Sequence, residues 1–187
     1  MKRWMGGVAT AVLVAWMAPS CATTDVPLAT LPEEAGAPIR CASSNDCPLG
    51  FYCDEASCDA TSGTCSAPPT DCPNNEAPVC GCDGVTYFND CLRSSRGVAA
   101  STPGPCFAAP PCDPTTPCAA GSSCALLTGS CAPDTPVEGT CWVVPAQCPS
   151  QSHAPNMWDS CQPGQHCVDT CTAIQSGMPF KRAPECH

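Results

Sequence analysis

Large apolar side chains are scarce in this sequence: four Phe, two Tyr, four Trp and two Ile in 187 residues. So little apolar mass cannot offset the ordering entropy of one large core. Basic residues are scarcer still, seven Lys and Arg in all, and beyond the first three residues Lys181-Arg182 is the sole adjacent pair. Nucleic acid needs a clustered positive footprint and is excluded as a partner. The three His all lie in the last 35 residues, and neither Gly-x-Ser-x-Gly nor His-Glu-x-x-His occurs. No catalytic constellation is therefore visible, and the chain does not read as an enzyme. Cys-x2-Cys pairs, the usual sign of zinc, are missing; the nearest approach is Cys167-x3-Cys171 beside His166. No cofactor or metal is expected. The 17 Asp and Glu form no Asp-x-Asp-x-Asp-Gly calcium loop, so the acidity reads as solubility.

What is abundant is cysteine, 21 residues, with 23 Pro and 14 Gly. That density marks a disulfide scaffold, in which each bond contributes ~2–4 kcal/mol by restricting the unfolded chain. Disulfides need an oxidising compartment, and the first 20 residues supply the route. Lys2-Arg3 precede an apolar run from Gly6 to Ala18, too short to span a bilayer but suited to a signal peptide. The run ends Ala18-Pro-Ser-Cys21, which resembles the lipobox of bacterial lipoproteins. That resemblance implies acylation of Cys21 and attachment to a membrane through an N-terminal lipid, hence a place in the cell envelope. Cleavage after Ala22 is the alternative, with the product secreted. Residues 21–40 are polar, proline-containing and free of periodicity, and read as a disordered tether able to reach ~60 Å.

From Cys41 the cysteines repeat. Ten lie in 41–106 and ten in 112–187, and each block opens Cys-x5-Cys-x5-Cys, continues Cys-x6-Cys-Pro, and closes Cys-x14-Cys. Each block can therefore close its own five bonds, with 107–111 as a proline-stiffened linker. The first half of each block is turn-rich and reads as small clipped hairpins. In the second half of block one, Val79-Cys80-Gly81 and Val85-Thr86-Tyr87 flank Asp83-Gly84, a hairpin signal. Asn89 is a good N-cap and Gly97 a good C′ residue, which predicts a short helix from Asp90 to Arg96 and then a third strand at Val98-Ala99.

The run Pro78-Val-Cys-Gly-Cys-Asp-Gly-Val-Thr-Tyr-Phe-Asn-Asp-Cys91, with Cys72-x7-Cys80-x10-Cys91 and the closing Gly104-Pro-Cys106, resembles the Kazal-type serine protease inhibitor domain. With the hairpin-like first half, block one looks like a follistatin-type module. The fold implied is small and disulfide-rich: a Kazal-like α+β domain at about 65–106, with a short helix on a small antiparallel sheet, plus a second, irregular cysteine-rich module. The resemblance implies pairs Cys72–Cys91 and Cys80–Cys106. It also departs from the family: the usual fifth cysteine is absent, Cys82 is extra, and by analogy Cys82 is paired with Cys65.

The function implied is serine protease inhibition through a substrate-like loop, Pro73, Asn74, Asn75 and Glu76. Asn74 is the residue offered to the primary pocket, and Asn89 stiffens the loop from behind. Asn74 has neither a trypsin ligand's charge nor a chymotrypsin ligand's bulk, which leaves a subtilisin- or elastase-like serine protease as the partner. The alternative is a non-inhibitory, disulfide-stapled binding or structural module. In block two the counterpart loop, Cys148 to Cys161, is longer, lacks the Asp-Gly hairpin motif and carries Ser150 at the pocket position. Its Met157-Trp158 reads either as a satellite core or as a partner-binding tip.

Overall fold

The computed structural model describes residues 37–107, 109–132, 137–150 and 156–186. Cys21 and most of the tether lie outside these residues. Every cysteine from Cys41 onward is paired, and each of the ten bonds stays inside its own block.

Block one begins with β1 (Arg40–Cys41), β2 (Tyr52–Glu55) and β3 (Gly63–Ser66), an antiparallel sheet ordered β1-β3-β2. Cys41–Cys53 and Cys47–Cys65 clip it. Ile39 and Arg40, assigned by sequence to the tether, instead form its edge: Arg40 pairs with Thr64, and the Ile39 carbonyl accepts from the Cys65 N–H at 2.8 Å. Cys82 does not pair with Cys65. Its partner is Cys58, because Cys65 faces Cys53 across the β2–β3 ladder and reaches Cys47.

The Asp83-Gly84 turn closes β4 (Val79–Gly81) on β5 (Thr86–Tyr87). Gly84 takes φ 77°, Asp83 accepts from the Val85 N–H at 3.1 Å, and the Tyr87 hydroxyl donates to Asp83 at 2.7 Å. Burial, then the Asp83 carboxylate, hold the Tyr87 phenol protonated well above its usual range. Helix α1 (Asp90–Ser95) follows, capped by Asn89 and stopped at Gly97 with φ 66°. The third strand, β6 (Ala100–Pro103), pairs with β4 two residues later than Val98-Ala99 predicts.

Block two repeats this plan. Its first half is β7 (Pro111–Cys112), β8 (Ser123–Ala125), β9 (Leu127–Thr128) and β10 (Gly139–Val143), clipped by Cys112–Cys124 and Cys118–Cys141. Gly63 and Gly139 occupy matching sites where a Cβ would lie 2.6 Å from a carbonyl of the paired strand, Asp54 or Ala125. The second half holds β11 (Met157–Ser160), β12 (Val168–Asp169), α2 (Thr170–Gln175) and β13 (Phe180–Arg182). The order β12-β11-β13 mirrors β5-β4-β6, and Gly177 ends α2 with φ 66° as Gly97 ends α1. A sheet-and-helix half laid out like that of block one thus stands where the sequence shows no Asp-Gly turn. Met157 and Trp158 form β11, and Trp158 packs on the Val168, Ala173 and Phe180 cluster.

The two blocks share a sheet and a core. β5 runs parallel to β10, pairing Thr86 with Trp142 and Tyr87 with Val143, and the Phe88 N–H donates to the Val143 carbonyl at 2.9 Å. Phe88, 1% exposed, packs with Ala125, Trp142, Cys171 and Ile174 of block two. Fully burying an aromatic of this size contributes ~1.5–3 kcal/mol. Within block one, buried Arg93 of α1 reaches the first sheet through Asp54 of β2 (3.4 Å), and is held by Asp90 of its own helix (2.7 Å) and by the Val98 carbonyl. Burial opposes its charge, but the Asp90 hydrogen bond and then the Asp90 and Asp54 charges raise its pKa above the ordinary value.

Candidate functional site

The loop Pro73–Glu76 begins beside a covalent staple and ends in a sheet. Cys72 is tied to Cys91 on α1, and Cys80, on β4, is tied to Cys106. Between them the Ala77 N–H donates to the Phe88 carbonyl at 3.0 Å, which extends the β4–β5 ladder up to the end of the loop. Pro73, Asn74 and Asn75 are exposed, and Glu76 is half-buried.

Asn89 sits behind the loop and is 3% exposed. Its Oδ1 accepts from the Leu92 N–H at 2.9 Å, the cap of α1. That bond fixes the amide's orientation and turns Nδ2 toward the loop, where it donates to the carbonyls of Pro73 at 2.7 Å and Asn75 at 3.1 Å. One side chain thus starts the helix and grips the backbone on both sides of the Asn74–Asn75 peptide bond. Both amide protons of a buried side chain are used, so releasing the loop would leave polar groups unsatisfied at ~1–3 kcal/mol.

Block two meets the loop at Glu76. Its Oε1 accepts from Thr170 Oγ1 at 2.9 Å and from Asn156 Nδ2 at 2.8 Å. Sequence reasoning did not find Thr170 or Asn156. The usable signal was the matching pair Asn89-x-Cys91 and Asp169-x-Cys171, which places Thr170 on the first turn of a second helix. A shallow groove of about 470 Å³ runs beside Asn74, lined by Leu92 and Ser95 on one side and Pro145, Ala146 and Gln147 on the other.

At the corresponding place in block two, Asp169 stands for Asn89. It caps α2 by accepting from the Thr172 N–H at 3.0 Å, but its second oxygen accepts from the Thr172 hydroxyl at 2.7 Å. A carboxylate has no N–H to give to loop carbonyls. Ser150 is exposed, and the residues after it, 151–155, lie outside the described set. Of the metal-like cluster, Cys167 is bonded to Cys186 and Cys171 to Cys148, so neither offers a thiolate.

Residues 67–106 match the model of the Kazal-type serine protease inhibitor domain. Serine protease inhibitor Kazal-type 1 of Sus scrofa is 41% identical over 49 residues, covering 23% of this chain and 88% of that protein.

Proposed function

The chain belongs to the Kazal-type serine protease inhibitor family through residues 67–106, and from that premise we propose that it is an exported, lipid-anchored inhibitor acting through the Asn74–Asn75 bond. The carrying observation is Asn89, whose amide holds the carbonyls flanking that bond while Asn74 projects into solvent. A preformed loop lowers the ordering cost of docking into a protease cleft. When the protease serine attacks the Asn74 carbonyl, the Asn74–Asn75 bond breaks and the Asn75 amine takes the proton from the protease histidine. Asn89 and the Cys72–Cys91 and Cys80–Cys106 bonds keep that amine beside the acyl group, so religation competes with hydrolysis.

The uncharged Asn74 supports a subtilisin- or elastase-like target. Tight inhibition of such a protease by the full chain, lost in Asn74→Pro, is the expected outcome. Asn74→Arg should redirect the loop toward trypsin-like proteases, whose pocket is acidic. Flat curves across a broad panel at micromolar concentration, with no trypsin inhibition by Asn74→Arg, would leave the alternative of a non-inhibitory binding module. Lipidation at Cys21 is read separately by mass spectrometry of the mature N-terminus; an unmodified Thr23 start refutes it.

A further inference from the structure

We propose that Thr170 of block two is a positioning residue for the loop of block one, acting through Glu76. The inference rests on the inhibitory reading of the loop for its consequence, but not for its geometry.

The direction of every bond in the cluster is forced. The Trp158 indole N–H can only donate, and it lies 3.0 Å from Thr170 Oγ1. That oxygen is therefore the acceptor there, and its own proton is free for Glu76 at 2.9 Å. On the other side the Arg182 guanidinium, also donor-only, lies 2.7 Å from Asn156 Oδ1 and turns the Asn156 amide toward Glu76 at 2.8 Å. Two chains of donors, Trp158 to Thr170 and Arg182 to Asn156, thus converge on one oxygen of an acceptor-only carboxylate. Hydrogen bonds to an ionised acceptor are roughly twice as strong as neutral ones.

Close packing does not explain the contact. A cleft of about 390 Å³ opens beside it, lined by Glu76, Trp142, Asn156, Trp158, Thr170 and Arg182. The polar contacts bridge that gap. Thr170 is itself 1% exposed and stands on the first turn of α2, fixed by the Asp169 cap, so it is a rigid post rather than a mobile surface group. Glu76 is the second residue beyond the Asn74–Asn75 bond. Asn89 restrains the loop up to the Asn75 carbonyl, and Thr170 takes over one residue later. On this reading the two blocks form one inhibitory unit, and block two supplies the far half of the loop's support.

The test uses the full chain with Thr170→Val, which keeps shape and removes the hydroxyl, and Thr170→Ser, which restores it. Glu76→Ala removes the acceptor from the loop side and does not touch the core. Backbone ¹⁵N relaxation of Asn75, Glu76 and Ala77 reads the clamp without any protease. Thr170→Val and Glu76→Ala should both loosen these amides, while Thr170→Ser should match the parent. Against a protease that the parent inhibits, the first two should weaken binding about tenfold, the equivalent of ~1.4 kcal/mol, and speed cleavage at Asn74–Asn75. Unchanged loop relaxation in a folded Thr170→Val, or in Glu76→Ala if Thr170→Val does not fold, overturns the clamp. A loop that loosens as expected in a parent that inhibits nothing upholds the clamp and overturns only the inhibitory reading.

Discussion

Asn89 and Asp169 stand at equivalent points of two similar halves, each two residues before a helix cysteine and each accepting from the backbone N–H three residues on. As N-caps the two residue types are nearly equal. They differ at the other end of the side chain. The amide of Asn89 has two protons for the loop, whereas the second oxygen of Asp169 turns to the Thr172 hydroxyl. A single functional group therefore separates a side chain that both caps its helix and holds an exposed loop from one that, among the described residues, bonds only within its own helix start. The lower turns of the helices differ in the same sense: Arg93, an ion-paired cation, occupies the position that buried Ala173 fills in block two.

The comparison breaks most sharply with Asn89→Asp. The cap survives, but two donated bonds are lost and a carboxylate faces two carbonyl oxygens. The expected loss of inhibition is on the order of a hundredfold, from about 3 kcal/mol of unmade and unsatisfied bonds, seen in inhibition titrations. Arg93→Ala comes next. It makes α1 resemble α2 without the packing that suits an alanine there, and leaves Asp54 and Asp90 unpaired. Both carboxylates still reach water, so the cost should be about 2 kcal/mol rather than the full penalty of a buried pair, measured by denaturant unfolding. Asp169→Asn, the reverse exchange, should shift stability by under about 0.5 kcal/mol; a large loss would mean that Asp169 does more than cap.

A smaller effect concerns acid. Asp46 and Asp113 lie in the matching first loops of the two blocks. Donation from the Ala42 and Ser43 N–H groups depresses the pKa of Asp46, and the Thr115 hydroxyl, then the Thr115 and Thr116 N–H groups, depress that of Asp113. A depressed carboxylate contributes stability above its unfolded value of about 3.9, and loses it as pH falls through the folded value. Asp46→Asn and Asp113→Asn should each flatten the melting-temperature profile below that pH by a similar amount. An effect in one block alone would break the repeat.

Sequence carried the hairpin, the capping Asn89 and the Cys72–Cys91 and Cys80–Cys106 pairs, because each rests on local chemistry: a Gly that permits positive φ, an amide at a helix start, fixed cysteine spacings. The Cys58–Cys82 bond was not legible, since spacing alone does not say which of two nearby half-cystines lies on a strand facing away. The β5–β10 pairing was hidden for a different reason. Two parallel strands of two and five residues carry no turn between them and no alternation to fix their register. The Asp-Gly motif carries no signal for Thr170, whose place follows from the start of α2 at the Asp169 cap.

The pairing of β5 with β10 also governs what a cut between the blocks would do. No covalent bond joins 41–106 to 112–186 except the main chain. A nick in 107–110 would therefore turn one polypeptide into two cross-linked halves held only by non-covalent contacts, among them the parallel ladder, the Phe88 packing and the Glu76 hydrogen bonds to Thr170 and Asn156. Their union would become concentration-dependent. Dilution would bare Phe88 and an open strand edge, a surface prone to joining other chains.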